Sequence, residues 1–348
     1  MSNDPLPGSV PPRRRPTGAV VVGVVAVLLG LGCALWLWRP WVTGARPLIE
    51  TFPAGALDEY VPENAAAVLD LNMKQLGSSP VVQQHLKAPL DHLVQRAESN
   101  HHWAALVGID PFKDVEWLRV VFVGGDTANP LWIAKGRFDP ARFQVGPGKL
   151  QPKVVDRFRV FEAPDAGGAT ATVAHAGDYL VACDSQAHLL DALNHAADGK
   201  KSEPADALLR DQLKAVDRKQ SVWLAVSLTK LGPVPRLHSD AAERVLRPVF
   251  NRAQAAQGGF TFGDDLQANF AMRARDEAAA AELEQGLKSK TDFVRDLART
   301  WELSLRLGLF KGERDLLPVL RLVGTGEVSR DGATVRLRCR LPADQLGP

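Results

Sequence analysis

Ala67 to Pro80 reads AVLDLNMKQLGSSP, and 155 residues further on Val222 to Pro235 reads VWLAVSLTKLGPVP. The two stretches share four identities in fourteen: Leu69 with Leu224, Leu76 with Leu231, Gly77 with Gly232 and Pro80 with Pro235. Each starts as a short apolar run of strand length and ends at a glycine and a proline, the residues that close an element. In the first copy Ser78-Ser79-Pro80 supplies a helix cap and a proline for the first turn. A helix is expected from there to about Glu98, with Leu86, Leu90, Leu93 and Ala97 on one face and a kink or break at Pro89.

Outward from this pair, the same sequence of elements is expected twice. Trp117 to Val123 and Leu131 to Phe138 read as strands joined through Gly124-Gly125 and Asn129-Pro130. Phe158 to Phe161, Ala169 to Val173 and Tyr179 to Ala182 are further strands, and Asp184 to Ala196 fits a helix capped by Asp184 or Ser185. In the second half Ser239 to Ala256 is expected as helix, and Gly259 to Phe262 with Gln267 to Arg273 as a hairpin turning at Gly263-Asp264-Asp265. Asp276 to Leu307 has a helical pattern, and Leu320 to Ser329 and Ala333 to Arg340 close the chain as strands. Ile133 to Asp139 aligns with Phe270 to Asp276, and Cys339 falls where Cys183 stood. The correspondence breaks at the long Asp276 helix, which the first half lacks. Thr334 to Arg340 alternates apolar and charged residues, the pattern of a sheet with one face in water. The fold class expected is therefore α+β: antiparallel sheets with helices packed on them, in two tandem related halves, 61–200 and 201–348.

Ahead of that domain, Ala19 to Trp38 (AVVVGVVAVLLGLGCALWLW) is twenty residues without a charge. At about 1.5 Å rise per residue it reaches ~30 Å, the thickness of a bilayer's hydrocarbon core. Arg13, Arg14 and Arg15 precede it, and Trp36, Trp38 and Trp41 gather at its far end, as expected for a transmembrane helix entered from the cytoplasm. The expected plan is a cytoplasmic disordered tail over 1–17, a transmembrane helix over 18–38 and a juxtamembrane linker over 39–60. The bilayer is thus the expected partner of residues 19–38, with the C-terminal domain outside the cytoplasm. Two alternatives keep the same sidedness. A cleaved secretory signal has a shorter apolar core, although Thr43-Gly44-Ala45 resembles a cleavage site. Leu31-Gly32-Cys33 resembles a lipoprotein box, but the apolar run continues five residues past Cys33.

Charge and cysteine content exclude several function classes. The net charge is +2, but residues 1–46 hold five arginines against Asp4, which is +4, so the other 302 residues sum to −2. No surplus of basic residues exists there to displace counterions from a nucleic acid. Cys33, Cys183 and Cys339 are too dispersed for a disulfide scaffold or a C-x-x-C zinc site; only Cys183 with Cys339 could pair in the domain.

Catalytic and ligand motifs are equally scarce. No G-x-S-x-G elbow occurs. Gly199-Lys200-Lys201-Ser202 lacks the earlier glycine of a P-loop and follows a helix, so it reads as a polar linker. His85 and His92, and His188 and His195, are seven apart, His101 and His102 are adjacent, and none has the three- or four-residue spacing of helical metal ligands. Asp110, Asp264 and Asp265 read as turn residues outside any calcium-loop pattern. Trp103, Trp117, Trp132, Trp223 and Trp301 could form a sugar-stacking face, although aromatics in strands normally lie in the core. No catalytic, cofactor-binding or metal-binding residue is assigned.

Val61-Pro62-Glu63-Asn64-Ala65, the Gly108-Ile109-Asp110-Pro111 loop ahead of a strand pair, and Gly136-Arg137-Phe138-Asp139 together resemble a group of uncharacterised, membrane-anchored extracytoplasmic bacterial proteins of planctomycete genomes. The resemblance covers about a third of the chain and implies a duplicated α+β exterior domain. It makes a non-catalytic role in binding, envelope organisation or assembly, with an envelope protein or glycan as partner, the first expectation. An extracytoplasmic enzyme, a hydrolase with a dispersed site, is the alternative.

Overall fold

The computed structural model describes residues 43–44, 57–83, 109–110, 113–124, 126–139, 141, 143, 149–162, 172–183, 185–199, 203–231, 251–306 and 317–345. The expected tail and membrane helix, nearly all of the linker, and the helix expected after residue 83 lie outside these residues. Among the described residues, no helix is long and apolar enough to cross a membrane.

One antiparallel sheet of twelve strands organises the domain. In chain order the strands are β2 (Ala65–Leu71), β3 (Val115–Val123), β4 (Asp126–Gly136), β5 (Lys149–Val155), β6 (Phe158–Glu162), β7 (Thr172–Ala176), β8 (Tyr179–Cys183), β9 (Val222–Ser227), β10 (Ala253–Phe262), β11 (Asp265–Ala274), β12 (Glu327–Asp331) and β13 (Thr334–Pro342), with a two-residue β1 (Thr43–Gly44) parallel to β5 at one edge. Across the sheet the order is β1-β5-β6-β7-β8-β4-β3-β2-β9-β10-β11-β13-β12. β2 and β9 meet at the centre, where Leu69 lies opposite Leu224, Ala67 opposite Val226 and Leu71 opposite Val222.

All seven residues of β2 are buried, as a central strand covered on both faces requires. On one face Leu69, Val120, Trp132, Phe260 and Leu341 form a core that runs nearly the whole width of the sheet. Helix α1 (Met73–Ser78) supplies Met73 and Leu76 to it, and α5 (Leu317–Gly324) supplies Leu322. On the other face Val68, Val121, Ile133, Val181 and Trp223 pack beneath α2 (Gln186–Ala197) and α3 (Ala207–Ala215). Helix α4 (Glu277–Arg306) packs Ala279, Ala280 and Leu283 against Ala253, Ala274 and Val335. Burying each such Leu, Val or Phe contributes about 1.5–3 kcal/mol.

Several local signals act as the sequence indicates. Ser185 caps α2, accepting from the His188 amide at 3.4 Å, and Asp276 caps α4, accepting from the Ala279 amide at 2.7 Å. The β10–β11 hairpin turns at Gly263-Asp264. Ser79 accepts from the Val82 amide at 3.3 Å, the cap anticipated there.

Other expectations are corrected. Leu320 to Gly324, read as the start of a strand, is the end of α5, and β12 begins only at Glu327. Ala253 to Ala256, read as the end of a helix, opens β10, where pairing with β9 and β11 overrides the helical preference of alanine and glutamine. β5, α1 and α3 were not anticipated. The last residues of the expected linker belong to the domain: Leu57–Tyr60 is a 3-10 turn, and Tyr60 is buried with its ring 5.5 Å from that of Tyr179. Cys183 and Cys339 are both buried thiols not joined to each other, and Cys183 Sγ donates to the Asn129 carbonyl at 3.7 Å.

Candidate functional site

Three central strands place a charged residue, its counterion and an indole on one cross-strand line. Arg119 on β3 faces Asp70 on β2, and Asp70 faces Trp223 on β9. The line continues from Trp223 to Gly259 on β10 and Asn269 on β11. Period-2 alternation puts all these side chains on the face that carries α2 and α3. Asp70 and Arg119 are 1% and 4% exposed, so each charge needs a counterion beside it.

Arg119 donates Nε and Nη2 to the same oxygen, Asp70 Oδ2, at 2.8 and 2.5 Å. Its Nη1 donates to Asp58 Oδ1 at 2.7 Å, and Arg218 donates Nη1 to Asp58 Oδ2 at the same distance. Both guanidinium groups lie against Trp223, 5.5 and 5.6 Å from the ring centre. Asp58 comes from the 3-10 turn, so the segment that leads into the domain is clasped by two arginines from the loop before β9 and from β3. Burial raises the Asp58 carboxyl, but the charges and hydrogen bonds of Arg119 and Arg218 outweigh it and hold the group below the ordinary carboxylate range. Burial pushes the Asp70 carboxyl up, against the pull of Arg119.

These groups line an open pocket of about 230 Å³, walled also by Leu57 and Trp117. Asp70 Oδ1 is buried and has no hydrogen-bond donor. A buried acceptor left unmet costs about 1–3 kcal/mol. Beside Trp223 the β9 and β10 backbones pack closely at the buried Gly259, where a Cβ would come within 2.0 Å of the Val222 carbonyl oxygen and 2.7 Å of Trp223 Cα.

The residues weighed from the sequence are dispersed. His188 and His195 lie two turns apart on α2, and His195 Nε2 is 3.4 Å from Asp191 Oδ1. Gly199 sits in the turn that ends α2, its amide donating to the Ala196 carbonyl. Asp110 pairs with Lys113, Asp264 lies in the β10–β11 turn, and Asp265 pairs with Arg340. Trp132 is core, whereas Trp117 and Trp223 come together at the pocket. His85, His92, His101, His102 and Trp103 lie outside the described residues. Among the described residues, no group of three or more His, Cys, Asp or Glu side chains is placed to hold a metal ion.

Sequence reading missed Asp58, Asp70, Arg119 and Arg218. The available signal was an aspartate inside AAAVLDL and an arginine inside WLRVVFV, charges embedded in strands otherwise apolar enough to be buried.

No protein-family model matches the chain, and no curated protein matches it in sequence. The chain bears a distant structural likeness to TP0453. With crystal form III of TP0453 it shares 10% identity over 86% of this chain and 97% of that one, at a TM-score of 0.39. With crystal form IV the identity is 10% over 84% and 95%, at a TM-score of 0.41. No residue role passes from TP0453 to this chain.

Proposed function

We propose that the chain is a single-pass protein of the cell membrane whose C-terminal domain lies outside the cytoplasm and binds an envelope component without catalysing a reaction. One observation carries the reading: the uncharged run Ala19 to Trp38, led by Arg13 to Arg15 and closed by tryptophans. The bilayer is the partner of that run. The character of the pocket supports binding, because its polar lining is two aspartates and two arginines engaged with one another in ion pairs.

The domain consists of two related halves, one unit duplicated. Leu69 opposes the residue 155 positions on, Leu224, at the central seam. From that seam β2-β3-β4 and β9-β10-β11 run outward in the same order, and the hairpins β7–β8 and β12–β13 join β4 and β11 through their second strands. The turn glycines of those hairpins, Gly177 and Gly332, are again 155 apart and have φ of 59° and 54°. Between the third strand and this hairpin the first half carries β5–β6 and the second half α4–α5.

A Gly44→Cys variant with Cys33, Cys183 and Cys339 replaced tests the topology. A membrane-impermeant maleimide is expected to label it in intact cells, in a band at the full 37.7 kDa. Labelling only after lysis overturns the proposal, and a shortened, unlabelled chain replaces the anchor with a removed leader, because a cut after Ala45 takes position 44 with it.

A further inference from the structure

The pocket beside the buried ion pair lacks one hydrogen-bond donor. Arg119 spends two N–H groups on Asp70 Oδ2 and leaves Oδ1, on a carboxylate 1% exposed, without a partner. What completes the site must therefore donate. A second requirement comes from charge: Asp58 and Asp70 balance Arg119 and Arg218, and every one of the four is ion-paired. An anion would approach the carboxylates of Asp58 and Asp70, and an ammonium would approach two guanidinium groups. A neutral hydroxyl breaks no existing pair and meets no like charge.

The rest of the surroundings specify more than a hydroxyl. Leu57 and the partly exposed Trp117 give the pocket an apolar wall. At about 230 Å³ the space is below the range of drug-sized ligand sites, which bounds the occupant to roughly one ring.

We propose that this pocket binds one ring of a neutral saccharide, with a ring hydroxyl donating to Asp70 Oδ1 and the ring's apolar face on Trp117. The inference rests on the reading of the domain as a binding module, and it fails separately from that reading. Labelling at Gly44 reports sidedness whatever the pocket holds; ligand binding by the purified chain reports the pocket whichever side it faces.

The test uses the full chain in lauryldimethylamine oxide micelles, which carry no sugar, with chitotriose and maltotriose as probes and glycine as a zwitterionic control. Saturation-transfer NMR is expected to give saturable transfer to the ring protons of at least one trisaccharide with a Kd near ~1 mM, and none to glycine. Trp117→Ala is expected to weaken that binding about fivefold or more. The paired change Asp70→Leu/Arg119→Met, which removes the acceptor and keeps the site filled, is expected to abolish it while circular dichroism stays that of the parent. Absence of saturable transfer from both trisaccharides at about 20 mM overturns the proposal, since affinity that weak is below any specific site. Transfer to glycine in their place overturns it too, as does equal binding by the folded Trp117→Ala chain.

Discussion

Replacing Arg119 with methionine removes the charge that pairs directly with Asp70 in the sheet interior. Asp70 is 1% exposed and its two donors at 2.8 and 2.5 Å both come from Arg119, so the variant strands a buried carboxylate in an apolar layer. Breaking one side of a buried ion pair costs about 3–5 kcal/mol. Asp58 also loses a partner, but it is half exposed and keeps Arg218, which limits that loss to about 0–1 kcal/mol. At roughly 2 °C per kcal/mol for a chain of this length, the melting temperature should fall by about 6–10 °C. Scanning calorimetry of the full chain in micelles measures this, with urea midpoints as a second reading. The companion change Asp70→Leu/Arg119→Met removes both charges together and should return to within about 1 kcal/mol of the parent or exceed it. Arg218→Met, at a half-exposed position, should cost no more than about 1 kcal/mol. A loss below about 1 kcal/mol for Arg119→Met, or a double variant no more stable than the single one, would refute the assignment of Arg119 as the obligatory counterion of Asp70.

Three further outcomes follow from other sites. Burial holds His175 below the ordinary histidine pKa, against a hydrogen bond involving Gly177 and the charge of Asp178. The unfolded chain therefore takes up the proton first as pH falls, so stability present above about pH 6.5 is lost from there down to the lowered folded value; a His175→Phe chain whose urea midpoint keeps the same acid dependence contradicts this. Burial pushes the Cys339 thiol up to about 12, so in a chain with Cys33 and Cys183 replaced, Ellman's reagent should react with it only once denaturant is added. Asp156, exposed in the β5–β6 turn, has φ 55°, and Asp156→Gly should raise the urea-derived stability by about 0.5 kcal/mol, with a decrease counting against strain at that turn.

The parts of the fold legible in the sequence were those written in local chemistry. Strands with apolar runs between turn residues, such as β3, β8 and β11, and helices opened by Ser185 or Asp276, carry their signals within a few residues. Leu317 to Gly324 misleads because LPVLRLVG is apolar at nearly every position, which leaves no period to separate a buried helix from a strand. β5 hides because Pro152 interrupts it, a residue that only an edge or bulge position tolerates. The pocket was beyond local reading for another reason. Asp58, Asp70, Arg119 and Arg218 come from four separate places, 160 residues apart at the extremes, and only sheet register brings them together.

The seam between β2 and β9 has a bearing on how the chain is made. Its two strands are separated by about 150 residues of sequence, so the central ladder has a high contact order and should be among the slow steps of folding. Until β9 has been synthesised, β2 can pair only with β3 and presents a seven-residue apolar strand with one free edge. Such an edge templates pairing with another chain. A nascent chain halted before residue 222 would therefore expose its most adhesive strand, and ribosome-stalled or C-terminally truncated products of this protein should accumulate as aggregates in place of soluble half-domains.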